Sequence, residues 1–85
     1  MDKILVEVDC PSTSKTYDFW ISKKMNLATA KEKIIEEIRM FEKNDLIFED
    51  EKETFLYRQK MESLAQESFT FEELGIQSGE TLFLV

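Results

Sequence analysis

Cys10 is the only thiol in the chain, and there is no histidine to take or give a proton near neutral pH. A nucleophilic cysteine needs a stabilised thiolate, and the neighbouring Asp9 and Glu7 supply charge of the wrong sign. A turn cysteine without chemistry is the simpler expectation. The chain's two glycines, Gly75 and Gly79, do not form a phosphate-cradling loop. Residues 49–53, Glu-Asp-Glu-Lys-Glu, gather carboxylates as a calcium site does, but they lack the glycine and the spaced oxygen ligands of an EF-hand loop. They read as a solvated turn, with the acidic half of a charged protein contact as the alternative. These residues point away from an enzyme, a metal site or a cofactor, and toward a protein that acts by binding.

The composition narrows the partner. Eleven basic residues against eighteen acidic ones give a formal charge of −7, which disfavours nucleic acid, because phosphate contacts need clustered lysine and arginine. Anionic membrane surfaces are disfavoured for the same reason. With 85 residues, 42 % of them hydrophobic, the expectation is one small domain over residues 1–85 with a single core. No apolar run approaches the roughly 20 residues of a membrane span, so direct membrane insertion is not expected. Met1-Asp2-Lys3 leads straight into strand-like residues instead of a secretory signal. A lone cysteine fits a reducing compartment, so the expected location is cytoplasmic.

Periodicity supplies the elements. Ile4, Val6 and Val8 alternate as the inward face of a first strand, with Leu5 and Glu7 pointing the other way. After a turn around Pro11, Tyr17, Phe19 and Ile21 repeat the alternation, leaving Thr16, Asp18 and Trp20 outward. Asn26 can cap a helix in which Leu27, Ala30, Ile34, Ile38 and Phe41 recur every three or four positions, with Lys31 and the other charges opposite and Asn44 as its left-handed stop. Leu46-Ile47-Phe48 reads as a short strand with Ile47 outward. Residues 54–57 read as a returning strand, and residues 58–68 as an excursion of undecided structure. Thr70 and Glu73 have capping-box spacing, and Gly75 can end the turn. Leu82 and Leu84 then share one strand face while Thr81, Phe83 and Val85 share the other.

Two strands, a helix, two strands, a helical turn and a last strand make an α+β order, a mixed sheet of four to five strands with one long helix across it. The ending T-F-E-E-L-G-I-Q-S-G-E-T-L-F-L-V, the gapless stretch of residues 15–34 and the Leu46-Ile47-Phe48 triplet resemble the ubiquitin-like β-grasp family. The ending E-E-L-G-I followed by G and L-F-L-V is most similar to the YukD-like accessory proteins of bacterial type VII secretion. The resemblance implies the strand order second, first, fifth, third. In that order Leu5, Trp20, Ile47, Phe83 and Val85 are neighbours on the face opposite the helix, an apolar stripe that such proteins commonly present to partners. It also implies a protein partner, on the cytosolic side of a membrane secretion complex or among its regulators. The chain is expected to act without conjugation, as a monomer or weak homodimer, because the sequence stops before a diglycine tail. The alternatives are a sulfur carrier or modifier whose native chain carries that tail, and a homodimeric interaction domain.

Overall fold

The computed structural model describes residues 2–44, 46–48, 54–58 and 67–85. The charged run at 49–53 and most of the excursion at 58–68 lie outside the described residues. Strand β1 spans Lys3–Cys10 and pairs antiparallel with β2, Lys15–Ser22, in the register Leu5↔Trp20 and Glu7↔Asp18. The loop between them closes with Thr13 and Ser14 donating backbone N–H bonds to the carbonyls of Cys10 and Pro11, and Ser14 takes a left-handed φ of 56°. Cys10 is therefore not a turn residue: it is the last residue of β1, and its thiol is buried in the core.

Helix α1, Leu27–Glu42, starts as its sequence dictates, with the Asn26 side chain accepting from the Thr29 amide at 2.8 Å. Leu27, Ala30, Ile34 and Ile38 are buried against Val6, Val8, Ile21, Leu82 and Leu84. Ile35 joins them, and so does Lys31, which the helical period put on the solvent side. The lysine stem lies along apolar surface, and its ammonium ends 3.4 Å from Glu67 Oε1 and 5.8 Å from the centre of the Phe55 ring. Phe41, expected inward, is 70 % exposed and touches the sheet only at the edge strand, where its ring meets that of Tyr17. The left-handed stop is Lys43 (φ 55°), one residue earlier than the expected Asn44; the amides of Lys43 and Asn44 bond back to Met40 and Arg39.

The largest departure comes next. Leu46-Ile47-Phe48 is a turn, not a strand. The Asn44 side chain accepts from the Leu46 amide at 3.0 Å, and Arg39 donates from Nε to the Ile47 carbonyl at 2.7 Å and from its guanidinium to the Phe48 carbonyl at 2.6 Å. Phe48 sits at φ 57°, a left-handed conformation outside the region of regular strands. Leu46, expected inward, is 72 % exposed, whereas Phe48 does pack against the core. The place in the sheet goes to β3, Leu56–Tyr57, which pairs antiparallel with β4, Thr81–Leu84, in the register Leu56↔Leu84 and Tyr57↔Phe83. β4 in turn runs parallel to β1, so the order is β2-β1-β4-β3, a mixed sheet. With α1 across one face this is the α+β β-grasp arrangement.

Before β4 the capping box is complete: Glu73 N donates to Thr70 Oγ1 at 3.0 Å and Thr70 N donates to a Glu73 carboxylate oxygen at 2.9 Å. Gly75 follows at φ 71° as expected. This turn carries Phe71 and Ile76 into the core beside α1.

Candidate protein-binding face

Strand parity places Lys3, Leu5, Glu7 and Asp9 of β1 on the face away from α1, beside Ser22, Trp20, Asp18 and Thr16 of β2. The parallel register adds Thr81 beside Glu7 and Phe83 beside Asp9, and β3 adds Tyr57 beside Phe83. Val85 and Phe55 exchange backbone hydrogen bonds at 2.8 and 3.0 Å, one row further. Of the five sequence-predicted residues, Leu5 and Trp20 thus form one pair and Phe83 and Val85 belong to another group. Four residues of strand rise, about 13 Å, separate the two groups. The row between them is polar: Asp18, Glu7 and Thr81. Ile47 joins neither group, because it lies in the turn that Arg39 holds.

Tyr57 takes the position that Ile47 was expected to fill. Its ring lies 5.7 Å from that of Phe83, tilted by 31°, within the range of favourable aromatic pairs. The signal was legible, since alternation through residues 54–57 with Leu56 inward puts Tyr57 outward. What periodicity does not give is that this segment, and not Leu46-Ile47-Phe48, neighbours β4. Trp20 is 58 % exposed and Val85 54 % exposed.

The direction of the backbone groups on β1 follows from its second neighbour. Gly79 N donates to the Leu5 carbonyl and Glu7 N donates to the Glu80 carbonyl, so the odd-numbered residues of β1 turn their backbone groups toward β4. The even-numbered ones bond β2. Leu5↔Trp20 and Glu7↔Asp18 are therefore non-hydrogen-bonded pairs, whose side chains stand closest. Two carboxylates directly opposite each other destabilise a sheet.

On the helix side, the rim of β2 borders a groove of about 340 Å³ lined by Thr16, Tyr17, Asp18, Phe19, Glu37, Ile38 and Phe41. Phe41 meets Tyr17 edge-on, with ring centres 5.8 Å apart. One end of the groove is tied off by a polar cluster. Lys15 Nζ donates to both Glu42 carboxylate oxygens at 2.9 and 3.0 Å, and the Tyr17 hydroxyl donates to Glu42 Oε2 at 3.1 Å while lying 2.9 Å from Thr13 Oγ1. The hydrogen bond from Lys15 holds the Glu42 carboxyl below its ordinary range, and the same bond holds the Lys15 ammonium protonated to higher pH than usual. Burial pushes the Tyr17 phenol up.

A carboxyl that is more acidic folded than unfolded contributes its full stability above the unfolded value and loses it as pH falls through the folded one. The lysine end contributes fully below its unfolded value and fades as pH rises through the higher folded one. Lys15→Met is therefore expected to lower the denaturation midpoint at neutral pH, with the gap to wild type closing in acid below the ordinary glutamate range. A gap that persists unchanged in acid means that packing, not the ion pair, was lost.

No family model and no curated protein matches the chain, but solved structures do. A ubiquitin-like domain of an Arabidopsis thaliana protein superposes with a TM-score of 0.70 at 22 % identity, covering 100 % of this chain and 78 % of that one. The ubiquitin of Caldiarchaeum subterraneum gives 0.69 at 12 % identity over 96 % of this chain and 90 % of its own. The UBL domain of yeast Ddi1 gives 0.65 at 18 % identity over 99 % and 88 %. The fold is ubiquitin-like. Among the described residues, no helix is long and apolar enough to cross a membrane.

Proposed function

We propose that this chain is a ubiquitin-like protein-binding module that docks its partner on the sheet face opposite α1. The observation that carries the reading is the Tyr57–Phe83 ring pair, flanked by exposed Val85, on a face that no described element covers. Aromatic residues at the centre of an apolar patch are the usual anchors of protein interfaces. Leu5 and Trp20 form a second apolar contact beyond the acidic row. Ile47, in the turn that Arg39 holds, is not part of the proposed face. The narrower reading, an accessory component of bacterial type VII secretion in the cytoplasm, rests on the sequence resemblance of the last strand. The neighbouring genes test that reading directly.

Charging the anchor tests the face. Phe83→Lys is expected to leave the circular dichroism spectrum in place while weakening partner capture by about 2 kcal/mol or more. Capture from a lysate would be compared between wild type and Phe83→Lys at matched melting. Equal capture by both would move recognition off this face.

A further inference from the structure

We propose that the partner seated on the sheet face carries an arginine or lysine between two apolar side chains, and that Glu7 and Asp18 select it by that charge. The inference rests on the reading of this face as the docking surface and adds what the partner must present to it. Four carboxylates elsewhere in the fold reach a cation distant in sequence: Glu42 meets Lys15, Glu67 meets Lys31, Glu80 meets Arg58 and Glu72 meets Lys23, at 2.9 to 3.9 Å. Among the described residues, Glu7, Asp9 and Asp18 have no such cation and their side chains accept no hydrogen bond. Lys3, the basic residue on this face of β1, stands four positions from Glu7, beyond Leu5. Lys15 belongs to the helix side, where Glu42 holds it.

Their position states what the occupant needs. Glu7 and Asp18 are exposed and directly opposed in a non-hydrogen-bonded pair, which brings the side chains closest. Asp9 follows two residues along β1, on the same side. Opposed like charges cost a sheet stability, and a cation laid over them replaces that repulsion with an attraction. On one side of the pair lies Leu5 with Trp20, and on the other Phe83 with Tyr57. The complementary surface is therefore apolar, cationic, apolar. The sheet face offers side chains and no backbone groups, which lie in the plane of the sheet, so the occupant must satisfy its own main chain. A helix does so, and positions i, i+4 and i+7 on one helix face set out the three groups in order over about 10 Å. Arginine suits the middle position better than lysine, because its planar fork can engage both carboxylates.

The probes are two blocked, alanine-based helical peptides added to the whole chain, one with leucine, arginine and leucine at i, i+4 and i+7, the other with glutamate in place of the arginine. The arginine peptide is expected to bind about tenfold more tightly at low salt, with chemical-shift changes at Glu7, Trp20 and Phe83. The difference should shrink as added salt screens the exposed charges. Glu7→Gln combined with Asp18→Asn should bring the two peptides to nearly equal affinity. That variant should melt no lower than wild type, since it removes a repulsion and no described contact. Equal affinity of the two peptides for the wild type, with shifts at Trp20 and Phe83, would overturn the selection by charge and leave the docking face standing. Binding by neither peptide overturns the selection as well, and capture by Phe83→Lys then tests the face on its own. A preference for arginine that survives in the double variant would assign the selection to other carboxylates and overturn the proposal. Shifts at the same residues in the free protein that grow with its concentration would give the face to a second copy of the chain and overturn it too.

Discussion

Leu56→Asp is expected to unfold the protein at neutral pH, whereas Leu46→Asp is expected to leave its melting point nearly unchanged. Leu56 is 1 % exposed, pairs with Leu84 across the sheet and touches the core. A carboxylate there would sit among the buried side chains of the core, and a buried charge costs several kcal/mol, about the whole stability of a small domain. Leu46 stands in solvent, where substitutions usually shift stability by under about 0.5 kcal/mol. Thermal melts of the two variants decide the register of the sheet edge. The reverse result would place Leu46-Ile47-Phe48 in the sheet and Leu56 outside it.

The second large effect is in the helix. Ile34 is 1 % exposed at the middle of α1, and Ile34→Ala should cost about 2–5 kcal/mol through lost burial and the cavity left behind. Lys33, its neighbour on the exposed side of the helix, provides the control. Denaturant midpoints of Ile34→Ala and Lys33→Ala should differ widely. Coincident midpoints would mean that this face of the helix does not carry the core.

What could be read from the sequence followed the length of each periodic run. The first hairpin and α1 contain enough turns of alternation for the inward sets to be unambiguous, and Val6, Val8, Ile21, Leu27, Ala30, Ile34 and Ile38 are all buried. Trp20 and Leu5 fell on the outer face because a period of two leaves no freedom once Val6 and Ile21 point inward. Short segments lack that redundancy. Leu46-Ile47-Phe48 and Phe55-Leu56-Tyr57 are equally apolar and equally strand-like, so propensity could not choose between them. The deciding contacts come from Arg39, seven residues or more upstream of the turn it holds, and a helical period cannot show where a side chain reaches. Phe41 and Lys31 depart from the expectation for a related reason: the period assigns a face, while burial depends on what lies opposite each position and on how far a lysine stem extends. The outward positions of Leu5, Trp20, Phe83 and Val85 were thus legible, whereas the placement of Tyr57 beside Phe83 was not.

The hold of Arg39 on the Ile47 and Phe48 carbonyls has a bearing on folding. Among the described residues one short strand, β3, stands beside β4 on its far side from β1, and the chain contains two similar candidates for that place. By engaging the two carbonyls and fixing Phe48 with positive φ, the guanidinium removes one candidate from the competition. Local contacts of this kind that agree with the global pairing are what lets a sequence favour one register over its near-duplicate.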